Sequence, residues 1–180
     1  MTPGAAAVRP TPGPRARPGG RPRRRTRVLA GLILAAVLST RWVRLNISPS
    51  VPVGLYRLTA VQAPLARGTL VVLPVPARVQ AWHTAWLPLL KPVGAVEDDL
   101  VCSVATGLGF DELWMAGEDY GPALHEFHGQ TLPHLQGCVL IQPGEVFLAS
   151  HAPHSFDSRY FSTVKVTALT AQAIPVLTWR

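Results

Sequence analysis

The stretch Pro88–Ala105, "PLLKPVGAVEDDLVCSVA", decides how the chain folds. Two apolar runs, rich in Val and Leu, stand on either side of Glu97-Asp98-Asp99. Each is too short for a helix of ordinary length, and the acidic triplet between them reads as a turn. The same grammar continues outward in both directions. "GTLVVLP" (Gly68–Pro74) is a third short run. "GCVLI" and "EVFLAS" form a pair joined by Gln142-Pro143-Gly144, a strong turn signal. "STVKVTALTAQAIPVL" closes the chain with alternating β-branched residues, and "ARVQAWHTAW" (Ala77–Trp86) alone reads as helical. Many short strands with Pro and Gly between them predict a mainly β, barrel-like or coiled-sheet domain over residues 45–180.

The charge is distributed unevenly. Residues 1–27 carry eight arginines, six prolines, four glycines and no acid, whereas the remainder holds nine basic and ten acidic residues. The basicity therefore belongs to a tail that has little to bury and is expected to be disordered. It is not a folded nucleic-acid surface, and no nucleic-acid partner is expected. Val28–Val43, "VLAGLILAAVLSTRWV", follows at once. As a helix this run would extend roughly 24 Å, short of a hydrocarbon core of about 30 Å. Arg27 and Arg41 can snorkel at its ends, and Trp42 suits an interface. An uncleaved transmembrane anchor over 28–44 is the preferred reading, ahead of a cleaved export signal or a buried helix. The arginine cluster then stays cytoplasmic and the rest lies outside the membrane.

Few residues in the body suit chemistry. Lys91 and Lys165 are its only lysines. Lys91 is enclosed by apolar neighbours. Burial would favour the neutral amine, a usable general base; the alternative is an edge-strand lysine that reaches solvent. Ser162-Thr-Val-Lys165 matches a Ser-x-x-Lys pattern, but alternation around it predicts a strand, on which residues three apart face opposite ways. The spacings His125/His128 and His151/His154 lie among Gly and Pro, so surface histidines are expected and no metal site. Cys102 and Cys138 are the only cysteines. Without a CxxC they suggest neither zinc nor redox catalysis. A disulfide is expected if the domain is exported, two buried thiols if it is not.

Three segments, taken in order, carry a resemblance. "SPSVPVGLYR" (Ser48–Arg57) after an anchor is similar to the nucleophile box of type I signal peptidases, and most similar to their conjugative, TraF-type branch. "LLKPVGAVEDDLVC" resembles the lysine box, and "SFDSRYFSTV" the last, Ser-x-Asp-x-Arg-Tyr, box. "GQTLP", "GC" and "GEVFLAS" also fall where that branch has similar elements. The resemblance covers about residues 40–180. It implies a β-rich signal-peptidase-like fold and a Ser/Lys dyad, with Ser50 as nucleophile and Lys91 as general base. It further implies Ser48 as a donor to the oxyanion, Ser155 as a partner that orients the lysine, and Asp157 with Arg159 as a structural ion pair. On a strand, the x-spacing of that pair would put both side chains on one face.

The family departures are local. Val51 replaces Met, Pro92 an Arg, Glu97-Asp98-Asp99 a Pro-Gly-Asp turn, and Ser162 a Gly; "LASHAP" lacks a Gly-Asp-Asn element. The implied activity is a membrane-anchored serine endopeptidase of the bacterial inner membrane. It would need no cofactor and would process exported precursors such as a conjugative pilin. The alternative is a non-enzymatic, membrane-anchored component of a transfer apparatus that keeps the fold.

Overall fold

A computed structural model describes residues 28, 29, 31, 42–82 and 87–179. The chain divides into two units, Met1–Ala36 and Val37–Arg180. In the first, Val28, Leu29 and Gly31 are helical. Most of the expected anchor, 28–44, and all of the expected tail, 1–27, lie outside the described residues. Among the described residues no helix is long and apolar enough to cross a membrane.

The second unit is mainly β. In chain order its strands are β1 (Val43–Asn46), β2 (Val53–Thr59), β3 (Leu70–Leu73), β4 (Leu89–Ala95), β5 (Leu100–Ala105), β6 (Phe110–Met115) and β7 (Glu118–Leu124). There follow β8 (Glu126–Phe127), β9 (Gln130–Thr131), β10 (Gly137–Leu140), β11 (Glu145–Leu148), β12 (Val164–Lys165) and β13 (Ala171–Trp179). The main sheet has the order β1-β2-β13-β3-β4-β11-β12, a second has β10-β5-β6-β7, and β8 pairs with β9. All pairings are antiparallel. Among the described residues the main sheet ends on β1 and β12, so it is open rather than closed into a barrel.

The run that opens the chain's β grammar becomes β4 and β5. β4 is a central strand covered on both faces, which is why its sequence is almost continuously apolar. Leu89 and Val93 join one core cluster with Val71, Leu148 and Phe161. Leu90 joins another with Val51, Tyr56 and Val72. Ala95 enters a third, with Val101, Leu113, Met115 and Phe147, which fills the space beside the second sheet. The acidic turn works because Asp98 takes φ +68°, a left-handed conformation that Asp tolerates better than most residues. Asp99 then accepts from the amide of Val96 at 2.8 Å and from Nε of Arg67 at 2.9 Å.

Three expectations need correcting. The helix read over Ala77–Trp86 is a 3-10 segment, Ala77–Trp82, held by the buried Val79; residues 83–86 lie outside the described set. The terminal run is not one strand. Val164–Lys165 pairs with β11, a 3-10 turn covers Val166–Ala168, and only then does β13 begin. Asp157 and Arg159 do not share a strand face, because Asp157 caps a one-turn helix, α1 (Ser158–Phe161), accepting from the amide of Arg159 at 3.2 Å. An Asp at an N-cap satisfies an otherwise orphaned amide, and this local bond outweighs the β alternation of the surrounding sequence.

Ser162 ends α1 with φ +57° and ψ −159°, donating its amide to the Ser158 carbonyl at 2.7 Å. That conformation is one only glycine adopts without strain. Ser162→Gly is therefore expected to stabilise the fold by about 1 kcal/mol, raising Tm by about 2–4 °C. Thermal unfolding followed by circular dichroism checks this; an unchanged or lowered Tm would show that the serine is not strained.

Candidate active site

The β1–β2 connection is stiff by composition. Pro49 and Pro52 fix φ and carry no amide hydrogen. Asn46, at the end of β1 and 5% exposed, holds the loop from inside. Its Oδ1 accepts from the amide of Ser48 at 3.2 Å, and its Nδ2 donates to the carbonyls of Ser48, Val51 and Pro52 at 2.8, 3.2 and 3.2 Å. Tyr56 adds a hydroxyl bond to the Pro52 carbonyl at 2.5 Å. Gly54, opposite Asn46 in the hairpin, permits close packing. A Cβ there would lie 2.2 Å from the carbonyl oxygen of Leu177 on β13, so a larger residue would push the loop off the sheet.

This loop presents two serines to β4. Oγ of Ser50 lies 2.8 Å from Nζ of Lys91, and the same Nζ lies 2.8 Å from Oγ of Ser155. The hydroxyls of Ser48 and Ser50 are 2.7 Å apart, and the Ser50 amide donates to Oγ of Ser48 at 3.4 Å. Ser50, Lys91 and Ser155 are buried, whereas Ser48 is exposed. Together they line a cleft of about 560 Å³, walled by Ile47, Leu87, Leu89, Leu90 and Phe156, with Arg44 at one side. Ser50 and Lys91, 41 positions apart in sequence, thus meet within hydrogen-bond reach.

The lysine's environment sets its chemistry. Burial brings the Lys91 ammonium down from 10.5 to about 8; Asp157 opposes the fall and Arg159 adds to it. A substantial fraction of the amine is then neutral near physiological pH. Losing its proton frees a lone pair for the Ser50 hydroxyl, while an N–H remains for Ser155.

Beneath the cleft lies the ion pair, wholly buried. Arg159 donates through Nε to Asp157 at 2.8 Å, through Nη1 to the Pro122 carbonyl at 2.9 Å, and through Nη2 to the Ser150 carbonyl at 2.6 Å. Asp157 also accepts from the Ser150 amide at 3.1 Å. Ser150 in turn donates its hydroxyl to the backbone carbonyl of Ser50 at 2.5 Å. The pair is thereby connected to the nucleophile's own backbone through one residue.

Asn46 and Ser150 were not singled out in the sequence. Asn46 had a legible cue, an Asn two residues before Ser-Pro, which commonly builds a side-chain turn. Ser150 had none, since its partner is 100 positions away. The remaining residues fall elsewhere. Cys102 and Cys138 are directly paired across β5 and β10 and form a disulfide, with Cα atoms 4.0 Å apart, just under the usual range of about 4.4–6.8 Å. Lys165 is exposed on β12, opposite Glu145, so the Ser162–Lys165 pattern contributes nothing to the cleft. His151 stacks on Tyr120, ring centroids 4.0 Å apart, and His154 borders the cleft. Neither HxxH spacing brings its two histidines together as metal ligands, but His125 meets His134 instead.

Comparison with known proteins shows the family. The signal peptidase, peptidase S26, family pattern matches residues 26–179. The conjugal transfer protein TraF of Agrobacterium fabrum is 29% identical over 173 residues, covering 84% of this chain and 93% of that protein. The TraF of Agrobacterium tumefaciens is 32% identical over 159 residues, covering 81% and 88%. A probable conjugal transfer protein TraF of Sinorhizobium fredii is 31% identical over 169 residues, covering 84% and 88%. With a match over nearly its whole length and relatives of this kind, the chain belongs to the signal peptidase family, peptidase S26, and is of the TraF type.

Proposed function

We propose that the protein is a serine endopeptidase that cleaves exported precursor proteins with a Ser50/Lys91 dyad. The observation that carries this reading is the 2.8 Å contact between Oγ of Ser50 and Nζ of a buried Lys91. In this reading the neutral Lys91 amine removes the Ser50 proton as Oγ attacks the scissile carbonyl. The Ser50 amide and the Ser48 hydroxyl turn from each other to the oxyanion. The Lys91 ammonium then delivers its proton to the leaving amine, and water, activated by the same lysine, releases the acyl-enzyme. Ser155 keeps the amine aimed throughout.

The substrate in this reading is a conjugative pilin precursor or a related secretion component, an expectation that comes from the family resemblance; the relatives' names add conjugal transfer as the setting. The chain acts from the bacterial inner membrane, held by a single anchor at 28–44, with residues 1–27 in the cytoplasm and the peptidase domain, 45–180, in the periplasm. The apolar cleft beside the dyad suits an extended chain segment with small residues at the cut.

The test is cleavage of a membrane-inserted precursor by the purified full chain in detergent, with new N-termini identified by mass spectrometry. Cleavage is expected to rise with pH through about 8, because the protonated lysine cannot accept the serine proton. A rate that is flat across that window, or no product from any exported precursor offered, argues for the non-enzymatic component instead.

A further inference from the structure

Away from the cleft, Asp111, His125 and His134 converge on one spot of the second sheet. Asp111 is a β6 residue, buried, with Oδ2 accepting from Oγ of Ser103 at 3.2 Å. His125 directly follows β7, and His134 lies beyond β9. The ligand atoms of all three lie within 4.8 Å of one another.

The hydrogen bonding of His134 is informative. Its Nδ1 lies 3.2 Å from the Leu132 carbonyl, which can only accept, so Nδ1 carries the proton. In the neutral ring Nε2 is then a bare lone pair, and it faces a carboxylate oxygen, Oδ2 of Asp111, at 3.9 Å. Two electron-rich atoms at that distance are too far apart for a hydrogen bond. They are well placed to share a cation that sits about 2.0–2.2 Å from each. The backbone carbonyl on the far nitrogen is the outer partner that metal-bound histidines commonly have.

We propose that Asp111, His125 and His134 form a binding site for a divalent metal ion of the zinc class, with water completing the coordination. Two imidazoles and a carboxylate select a borderline metal over calcium or magnesium. Loading requires one local change. His125 now bonds Oδ1 of Asp111 through Nε2 at 2.6 Å, and its ring stacks on His134 with centroids 4.3 Å apart. It must turn out of the stack, with its proton moving to Nδ1 by exchange with water, to offer Nε2 to the ion. Its side chain is 35% exposed, so it can turn while His134 stays pinned.

The ion would brace more than a surface loop. The amide of Leu135, next to His134, donates to the Arg159 carbonyl at 2.8 Å, and that of Leu124, next to His125, donates to the Tyr160 hydroxyl at 3.2 Å. The site therefore joins β6 to the two strands of chain that hold α1.

The proposal does not depend on peptidase activity. Full-length protein, stripped with a chelator and returned to metal-free buffer, is titrated with ZnCl2 by calorimetry and with CoCl2 by its visible d–d bands. One equivalent is expected to bind. Zinc at one hundred times its Kd is expected to raise Tm by about 5–10 °C. His125→Ala and His134→Ala should each weaken binding by at least about 100-fold, whereas His128→Ala and His151→Ala should not change it. Substoichiometric uptake, or uptake that survives both His125→Ala and His134→Ala, overturns the site. If either variant fails to fold, X-ray absorption of the zinc-loaded wild type decides. An imidazole-containing N/O first shell at about 2.0–2.2 Å supports the site, and a shell without imidazole overturns it.

Discussion

Ser50→Ala and Lys91→Ala are each expected to reduce precursor cleavage by roughly 10⁴-fold or more, and the double variant is expected to be little worse than either single one. The reason is geometric. The two side chains make one 2.8 Å contact through which, in the proposed mechanism, a single proton would pass, so removing either end would remove the same step. Ser48→Ala should cost less, roughly 10²- to 10³-fold, because the Ser50 amide still points to the oxyanion. Lys165→Ala provides the control. That lysine is exposed on β12, beside a different cavity with Arg78 and Glu145, and its loss should leave the rate nearly unchanged. Initial rates on one precursor, with folding of every variant checked by circular dichroism, read all of these. Full activity in Ser50→Ala, or a dead Lys165→Ala beside an active Lys91→Ala, would remove the dyad from consideration.

The second large effect concerns folding. Arg159→Ala would leave the fully buried Asp157 carboxylate without its cation, and would leave the Pro122 and Ser150 carbonyls without their donor. Breaking a buried pair from one side typically costs about 3–5 kcal/mol, so Tm should fall by about 10 °C or more. Choice of cleavage site should not change, since Arg159 does not line the cleft. The pH profile should also respond. Arg159 lowers the Lys91 pKa and Asp157 raises it, so removing the arginine should move the activity midpoint above about 8, and Asp157→Asn should move it below. Denaturant unfolding and a pH–rate series test both parts. A stable Arg159→Ala with an altered cleavage site would assign the arginine to specificity rather than to the fold.

Much of this was legible because it rests on local patterns. The β grammar around Pro88–Ala105 reappears as β4 and β5, since short apolar runs between turn residues have few other ways to be buried. Lys91 stood out as a cation where apolar neighbours make a cation costly. The places where the reading failed are those where a single side chain overrides periodicity. Asp157 caps a helix turn inside an alternating sequence, and the terminal run breaks at Val166–Ala168 where the chain turns before β13. The histidines show a different limit. Their spacing suggested pairs three apart, but the antiparallel return of the chain brings His134 onto His125 and leaves His128 at the edge of Phe127. Contacts of that kind are set by strand pairing, which leaves no mark at fixed sequence separation.

Two of the family departures illustrate the same division. Asp98 and Ser162 stand where the family pattern has Gly in its acidic turn and after its Arg-Tyr pair, and both adopt positive φ, +68° and +57°. Asp tolerates its conformation, whereas at Ser162 the conformation carries strain that glycine would relieve, a backbone requirement that the side-chain pattern alone conceals.

The buried lysine also couples folding to protonation. The unfolded chain would hold the Lys91 proton up to about 10.5, the folded chain only to about 8, so between these values the unfolded state binds more protons and stability climbs with pH. Below about 8 both states are protonated, and the fold carries the whole cost of an enclosed cation, about 3 kcal/mol; above about 10.5 the cost is gone. The deprotonation that would ready the amine for the proposed catalysis is therefore the same event that relaxes the fold, and alkalinity would strengthen both together. In an ordinary protein, a gain in reactivity at a buried group is set against stability; here the two are linked to one proton and move in the same direction.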